Sequence, residues 1–320
     1  MRKVYIVWIV IASALILCGS ILFGGVMTTL NWDFTKLSTT KYVTNEHVLD
    51  DSFSDITIST DTADIEFIAS DDGNVRVICH EEVKAYHSVS VDDGELIIKL
   101  KDEKKWYEHI GIGFGTSKIT VYMPEGEYAS LCVSGSTGDI DIPESFSFGD
   151  ATVSLSTGDV SFFAEKCKNV SVSTSTGSIN AKGVECESLS LSVSTGKVTA
   201  SEIECANSFS VNVSTGLTQL SDIDCENFHS EGSTGSVKAK GLICEKLLSV
   251  ERSTGDVIFE ECDGGEISVT TDTGDVRGTL LSDKVFITSS DTGKISVPKT
   301  TSGGKCEITT DTGDIRITIE

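Results

Sequence analysis

The feature that most constrains this chain is a Thr-Gly dipeptide that returns ten times on a nearly constant period. Its glycines are Gly138, Gly158, Gly177, Gly196, Gly216, Gly235, Gly255, Gly274, Gly293 and Gly313. Successive spacings are 20, 19, 19, 20, 19, 20, 19, 19 and 20 residues. A propeller blade needs about 40 residues per repeat, and leucine-rich repeats need a different motif. A unit this short cannot bury an apolar face alone, so it must stack on its neighbours.

Alternation around the glycines gives the unit its shape. Two residues after each glycine stand Ile140, Val160, Ile179, Val198, Thr218, Val237, Val257, Val276, Ile295 and Ile315. Five before it stand Val133, Val153, Val172, Leu191, Val211, Ser230, Val250, Val269, Thr288 and Ile308. Seven before it, Leu, Val, Ala, Phe and Ile dominate, as at Leu131, Val170 and Phe209. The residues between are mostly Ser, Thr, Asn or charged. This period-two pattern predicts a strand on each side of the corner. Glycine at the bend admits a positive φ. A third short segment carries pairs such as Val184 and Cys186, Ile203 and Cys205, Ile223 and Cys225, Leu242 and Cys244. The expected fold is all-β, a single parallel β-solenoid of about ten three-sided coils over residues 128–320. At ~4.8 Å per coil it makes a rod of roughly 48 Å.

Residues 4–27 form an uncharged apolar run preceded by Arg2 and Lys3. Its 24 residues span about 36 Å as a helix, enough to cross a bilayer with tilt. The apolar run of a cleavable signal is shorter and ends in an A-x-A-like site, so an uncleaved anchor is expected. Cys18 follows the large Ile16 and Leu17, which fits an ordinary membrane-helix residue better than a lipidation site. The basic end places residues 1–3 in the cytoplasm as a short tail and the rest outside. Residues 28–50 read as a tether. Residues 51–127 read as an irregular β-rich cap that covers open strand edges.

These motifs carry a resemblance. Asp55-Ile56-Thr57-Ile58, the run Ile119-Thr120-Val121-Tyr122-Met123-Pro124 and the Ser-Thr-Gly-Asp corners resemble the bacterial putative-adhesin β-solenoid family, a domain of unknown function. The resemblance covers nearly all of the chain after the tether. It implies a β-solenoid, often behind a membrane helix, with no known active site.

The formal net charge is −24. No basic stripe is present to replace phosphate counterions, which excludes a nucleic-acid partner. Cys167, Cys186, Cys205, Cys225 and Cys244 each lie nine residues after a corner glycine and should form one inward column. Short C-x2-C pairs with His partners are absent, so the column reads as apolar packing, with no metal site and no cofactor. Corner aspartates such as Asp139, Asp159, Asp256, Asp275 and Asp314 read as turn caps rather than a Ca²⁺ ladder. The histidines, His47, His80, His87, His109 and His229, are scattered, and no nucleophile elbow or phosphate loop is found. No catalytic residue is assigned.

One surface feature remains. Outward positions two and four before the glycine form a hydroxyl ladder: Ser154 with Ser156, Ser173 with Ser175, Ser192 with Ser194, then Asn212 with Ser214. The expected function is a non-enzymatic, membrane-anchored module outside the cell. Its partners would be wall polymer, glycan or another envelope protein. The alternatives are a carbohydrate-processing enzyme on a solenoid face, and an envelope-stress sensor acting through a membrane partner.

Overall fold

The computed structural model describes residues 2–37, 40–108 and 115–320. A helix, Arg2–Thr29, opens the chain. The most apolar 18 residues within Tyr5–Thr29 have a mean hydropathy of 2.7 and are not buried in the protein. Side chains such as Trp8, Leu15, Ile16 and Leu22 stand exposed, so this helix is long and apolar enough to cross a bilayer.

The remaining strands join one sheet system wound into a parallel β-solenoid. Corresponding residues of successive coils sit in exact register: Val133 on Val153, Val153 on Val172, Val172 on Leu191. Hydrogen bonding runs unbroken from Glu185 to Thr234, because the corners bend the chain without interrupting the ladder. The inward rows expected beside the glycines are buried through most of the stack, Val153, Val172 and Val198 completely, but at the Gly293 coil Thr288 is half-buried and Ile295 is exposed. A further inward row stands three residues before the glycine, with Leu155, Thr174, Val193, Val213, Arg252 and Thr271 all buried.

At the Thr-Gly corner the coils approach so closely that no side chain fits. Gly216 has φ +145°, and a Cβ there would lie 1.6 Å from the carbonyl oxygen of Gly196. Corner aspartates complete the joint. Asp64 accepts the amide of Asp139 at 3.0 Å, Asp139 that of Asp159 at 2.8 Å, and Asp159 that of Ser178 at 2.7 Å. A second run goes from Asp256 through Asp275 and Asp314 to the amide of Lys294. Each carboxylate therefore caps a backbone N–H of the next coil.

That second run reveals that coil order departs from chain order. The coil Gly304–Thr312 with Ile315–Ile319 stacks directly on residues 267–280. The coil Lys284–Thr292 with Ile295–Ser296 stacks outside it. The other end repeats the device. Asp55–Ser59 and Asp64–Ala69 lie between the layer of Glu95–Asp102 and Lys118–Met123 and the first Thr-Gly coil. Part of the expected cap thus continues the parallel stack as two further layers. Antiparallel strands then close that end: Ala85–Asp92 on Glu95–Asp102, and Val75–Glu82 on Lys118–Met123.

The tether expectation for residues 28–50 needs correction. Tyr42–Leu49 is a strand paired antiparallel with Val75–Glu82. One face is half-buried, at Asn45, His47 and Leu49, and the other exposed, at Thr44, Glu46 and Val48; the polar Asn45 and His47 on the inner face hide the apolar alternation that marks a half-buried strand. Backbone pairing to an open edge holds it, with Asn45 donating to Glu81.

Candidate functional sites

The predicted serines come together as expected from the period. Ser134, Ser154, Ser173 and Ser192 are direct neighbours in register. Ser154, Ser156, Ser175 and Ser194 are exposed, while Ser173 and Ser192 are half-buried. The row continues through exposed Asn212 and turns acidic at Glu231 and Glu251, which pair in register. Sequence reasoning missed a second row beside it. Thr137, Thr157, Thr176 and Thr195 stack in register, as do Thr234, Thr254, Thr273, Thr312 and Thr292. All are exposed, with Thr215 between the two runs. These threonines had been read only as markers of the corner. A hydroxyl both donates and accepts, so serine and threonine rows together form a neutral two-way hydrogen-bonding lattice.

Arg252, a single charge separated from other arginines in the sequence, is buried in the core at 5% exposure. Its Nη2 donates to Ser230 Oγ at 2.8 Å and Thr218 Oγ1 at 3.2 Å, and its Nη1 donates to the carbonyl of Glu251 at 2.9 Å. Burial lowers its pKa to about 10, partly offset by Glu231. Gly232 leaves the space, since a Cβ there would lie 2.7 Å from the guanidinium. Thr218 and Ser230, two of the polar residues that interrupt the apolar rows, are therefore its hydrogen-bond partners.

Inside the cap, Thr60 Oγ1 lies 2.9 Å from His87 Nε2, and His87 Nδ1 lies 2.7 Å from Glu81 Oε2. Asn45 donates to Glu81 Oε1 at 2.7 Å, and the His87 backbone amide also donates to Glu81, at 2.6 Å. Glu81 and His87 are both buried. The order hydroxyl, imidazole, carboxylate is that of a nucleophile relay. Here, however, both ring nitrogens and both carboxylate oxygens are engaged in joining the strands of the cap. Cys79 packs beside them, its thiol pushed up to about 12 by burial. His80 stacks on Tyr42 with ring centroids 5.4 Å apart, and His229 is exposed in the coils. His109 lies outside the described residues.

The cysteine column forms as the spacing predicted, but it is also the floor of an open groove of about 750 Å³. Cys186, Cys205, Cys225 and Cys244 are buried to within 5% exposure, and Cys167 is half-buried. Cys225 Sγ and Cys244 Sγ are 3.6 Å apart. Interaction with Cys205, with burial adding to it, holds the Cys186 thiol well above its ordinary pKa, and Cys205 Sγ donates to the carbonyl of Glu187 at 3.5 Å. Carboxylates line the walls: Glu185, Glu187, Glu204, Asp224, Glu226 and Glu245. Lys166 is the only basic residue in that lining; it pairs with Glu185 at 3.3 Å, and Lys246 pairs with Glu226. Nothing in the sequence marked the groove, because its walls come from residues flanking each cysteine in successive coils.

The family model described as Toastrack DUF4097 matches residues 53–207 and 197–320. No curated protein matches the chain. Among solved structures, a putative adhesin from Bacteroides fragilis NCTC 9343 is 15% identical, with a TM-score of 0.39, covering 87% of this chain and 97% of its own. A putative adhesin from Parabacteroides distasonis ATCC 8503 is 10% identical, with a TM-score of 0.43 and coverage of 88% and 98%. One from Parabacteroides merdae ATCC 43184 is 12% identical, with a TM-score of 0.41 and the same coverage.

Proposed function

Since the chain belongs to the Toastrack DUF4097 family, a β-solenoid family of unknown function, we propose that it is a non-enzymatic interaction module held at the cell membrane. The N-terminal helix is the anchor, with Arg2 and Lys3 on the cytoplasmic side and the solenoid outside the cell. The exposed hydroxyl lattice carries the reading. Its Ser and Thr rows repeat once per coil over many coils, and a polymer with its own repeat can engage many such positions at once. Glycan or cell-wall polymer is the matching partner, because sugars offer hydroxyls of the same two-way kind. Each neutral hydrogen bond adds only ~0.5–1.5 kcal/mol net, so affinity comes from the number of contacts and no single serine is essential.

The test is a pull-down of purified wall polymer by the full chain in detergent micelles. Changing Ser173, Ser175, Ser192 and Ser194 together to Lys should abolish capture while leaving the circular dichroism spectrum unchanged. Any single serine change should have little effect. Equal capture by the wild type and the quadruple variant would remove the hydroxyl lattice as the binding face. Turnover of the captured polymer would overturn the non-enzymatic reading.

A further inference from the structure

The rim of the cap, where the chain enters the β-structure, differs from the rest of the surface. Three segments meet there through the backbone. The amide of Val83 donates to the carbonyl of Lys41 at 3.0 Å, and that of Glu103 to the carbonyl of Lys84 at 2.8 Å. Ion pairs of Lys84 with Glu108 and of Lys104 with Glu82 tie the following turn to the same rim, around an open depression of about 360 Å³. Val83, Trp106 and Tyr107 are 52%, 77% and 50% exposed, and the two rings pack edge to face with centroids 5.9 Å apart. Among the described residues no large apolar side chain is more exposed than Trp106; Leu22 of the membrane helix reaches 71%. Neither the core nor the hydroxyl lattice uses these three side chains.

The path of the chain brings this rim to the membrane. Two successive left-handed residues, Asn31 at φ +54° and Trp32 at φ +57°, end the helix and turn the chain. Phe34 then lies beside Phe23 of the helix, ring centroids 6.5 Å apart, so the short turn Phe34–Leu37 stays at the helix end. Lys41 follows four residues after Leu37, and four extended residues reach at most about 14 Å. A bilayer spanned by the helix is therefore within reach of the rim.

Charge selects the same surface. Residues 128–320 hold 29 acidic and 14 basic side chains, so an anionic lipid surface repels the solenoid. On the rim, Lys41, Lys84, Lys104 and Lys105 outnumber Glu82, Glu103 and Glu108, which removes that repulsion. Tryptophan and tyrosine favour the headgroup level, where an apolar ring and its polar tip are both satisfied. Lysine stems cover apolar surface while the ammonium reaches the phosphates.

We propose that this rim is a second membrane contact: Val83, Trp106 and Tyr107 enter the headgroup layer of the bilayer that holds the helix, and Lys41 and Lys105 meet lipid phosphates. Lys84 and Lys104 hold the rim together through Glu108 and Glu82. The contact presupposes that the helix is the anchor, and it adds a posture, with the cap resting on lipid and the acidic solenoid leading away from it.

Trp106 is its own probe. With Trp8→Phe and Trp32→Phe it is the sole tryptophan, and the full chain is placed in nanodiscs of phosphatidylcholine and phosphatidylglycerol whose acyl chains are either plain or brominated near the headgroup. Brominated lipid should remove most of the Trp106 emission, and the bilayer should shield the ring from aqueous acrylamide. A sole tryptophan placed instead at the exposed Thr254 should keep its emission and stay open to acrylamide. Lys41→Glu with Lys105→Glu should restore most of the lost Trp106 emission while the circular dichroism spectrum stays unchanged. A chain that co-elutes with the nanodiscs but shows no quenching of Trp106 by bromine overturns the rim contact and leaves the anchor standing. Shielding from acrylamide without quenching by bromine means that protein covers the rim, and overturns it too. Failure of the chain to co-elute with the nanodiscs overturns the anchor and the rim contact together.

Discussion

Replacing Gly216 by Ala should be among the most damaging single-methyl additions in the molecule. Its φ of +145° belongs to a region essentially reserved for glycine, where another residue costs about 1–3 kcal/mol. The added Cβ would also lie 1.6 Å from the Gly196 carbonyl oxygen and 2.7 Å from its carbonyl carbon. Those atoms belong to the ladder between coils. Clearing the overlap separates two coils locally and breaks at least one or two hydrogen bonds, each about 0.5–1.5 kcal/mol net. The expected cost is about 3–5 kcal/mol. Gly183→Ala is the control, because Gly183 also has positive φ, +68°, but meets nothing within 4 Å. It should cost about 1–2 kcal/mol, the penalty of the left-handed conformation alone. Repeat arrays open locally, so the suitable assay is native-state hydrogen exchange, reading opening free energies coil by coil. Exchange should accelerate around Gly196 and Gly216 in the first variant and much less near Gly183 in the second. Equal losses would refute the close-approach argument and leave backbone conformation as the whole cause.

Val198→Asp places a carboxylate at a fully buried position between neighbouring coils and should destabilise by about 3–5 kcal/mol; an unchanged thermal melt would refute the register. Arg252→Leu leaves the hydroxyls of Thr218 and Ser230 without their donor. Adding Thr218→Val and Ser230→Val should therefore raise stability above that of the single variant by about 1–3 kcal/mol in urea titration, and no gain would show that the three residues are not coupled. Glu202 adopts φ +56° at a bend with an exposed side chain, whereas Gly183 occupies the equivalent bend one coil earlier. Glu202→Gly should raise the melting temperature slightly, since relief of about 1–2 kcal/mol exceeds the 0.5–1 kcal/mol entropic cost of glycine; a fall would mean that the Lys182–Glu202 ion pair at 3.3 Å matters more than an exposed pair should.

The local chemistry of this fold is legible in the chain. A Thr-Gly corner every 19–20 residues, flanked by period-two apolar positions, dictates the coil, its register and the alignment of Ser173 with Ser192, because each of these follows from spacing alone. The apolar run after Lys3 likewise dictates a helix long enough for a bilayer. Other properties arise only when coils meet. Every corner presents the same backbone donors and acceptors, so the coil at Gly313 pairs with that at Gly274 as well as the coil at Gly293 would, and the period cannot distinguish the two orders. Tertiary packing decides it, along with the insertion of Asp55–Ala69 at the other end. Arg252 is a single, separated charge in the sequence, and only packing shows it buried where Gly232 leaves space beside it and Thr218 and Ser230 turn their hydroxyls toward it. Glu81 and His87 face each other across the turn between Val75–Glu82 and Ala85–Asp92, but Thr60 is 27 residues from His87 and reaches it only through the packing of the cap on the stack. The thiols of Cys225 and Cys244 approach to 3.6 Å because stacking turns a separation of 19 residues into one coil height, a distance that no linear motif encodes.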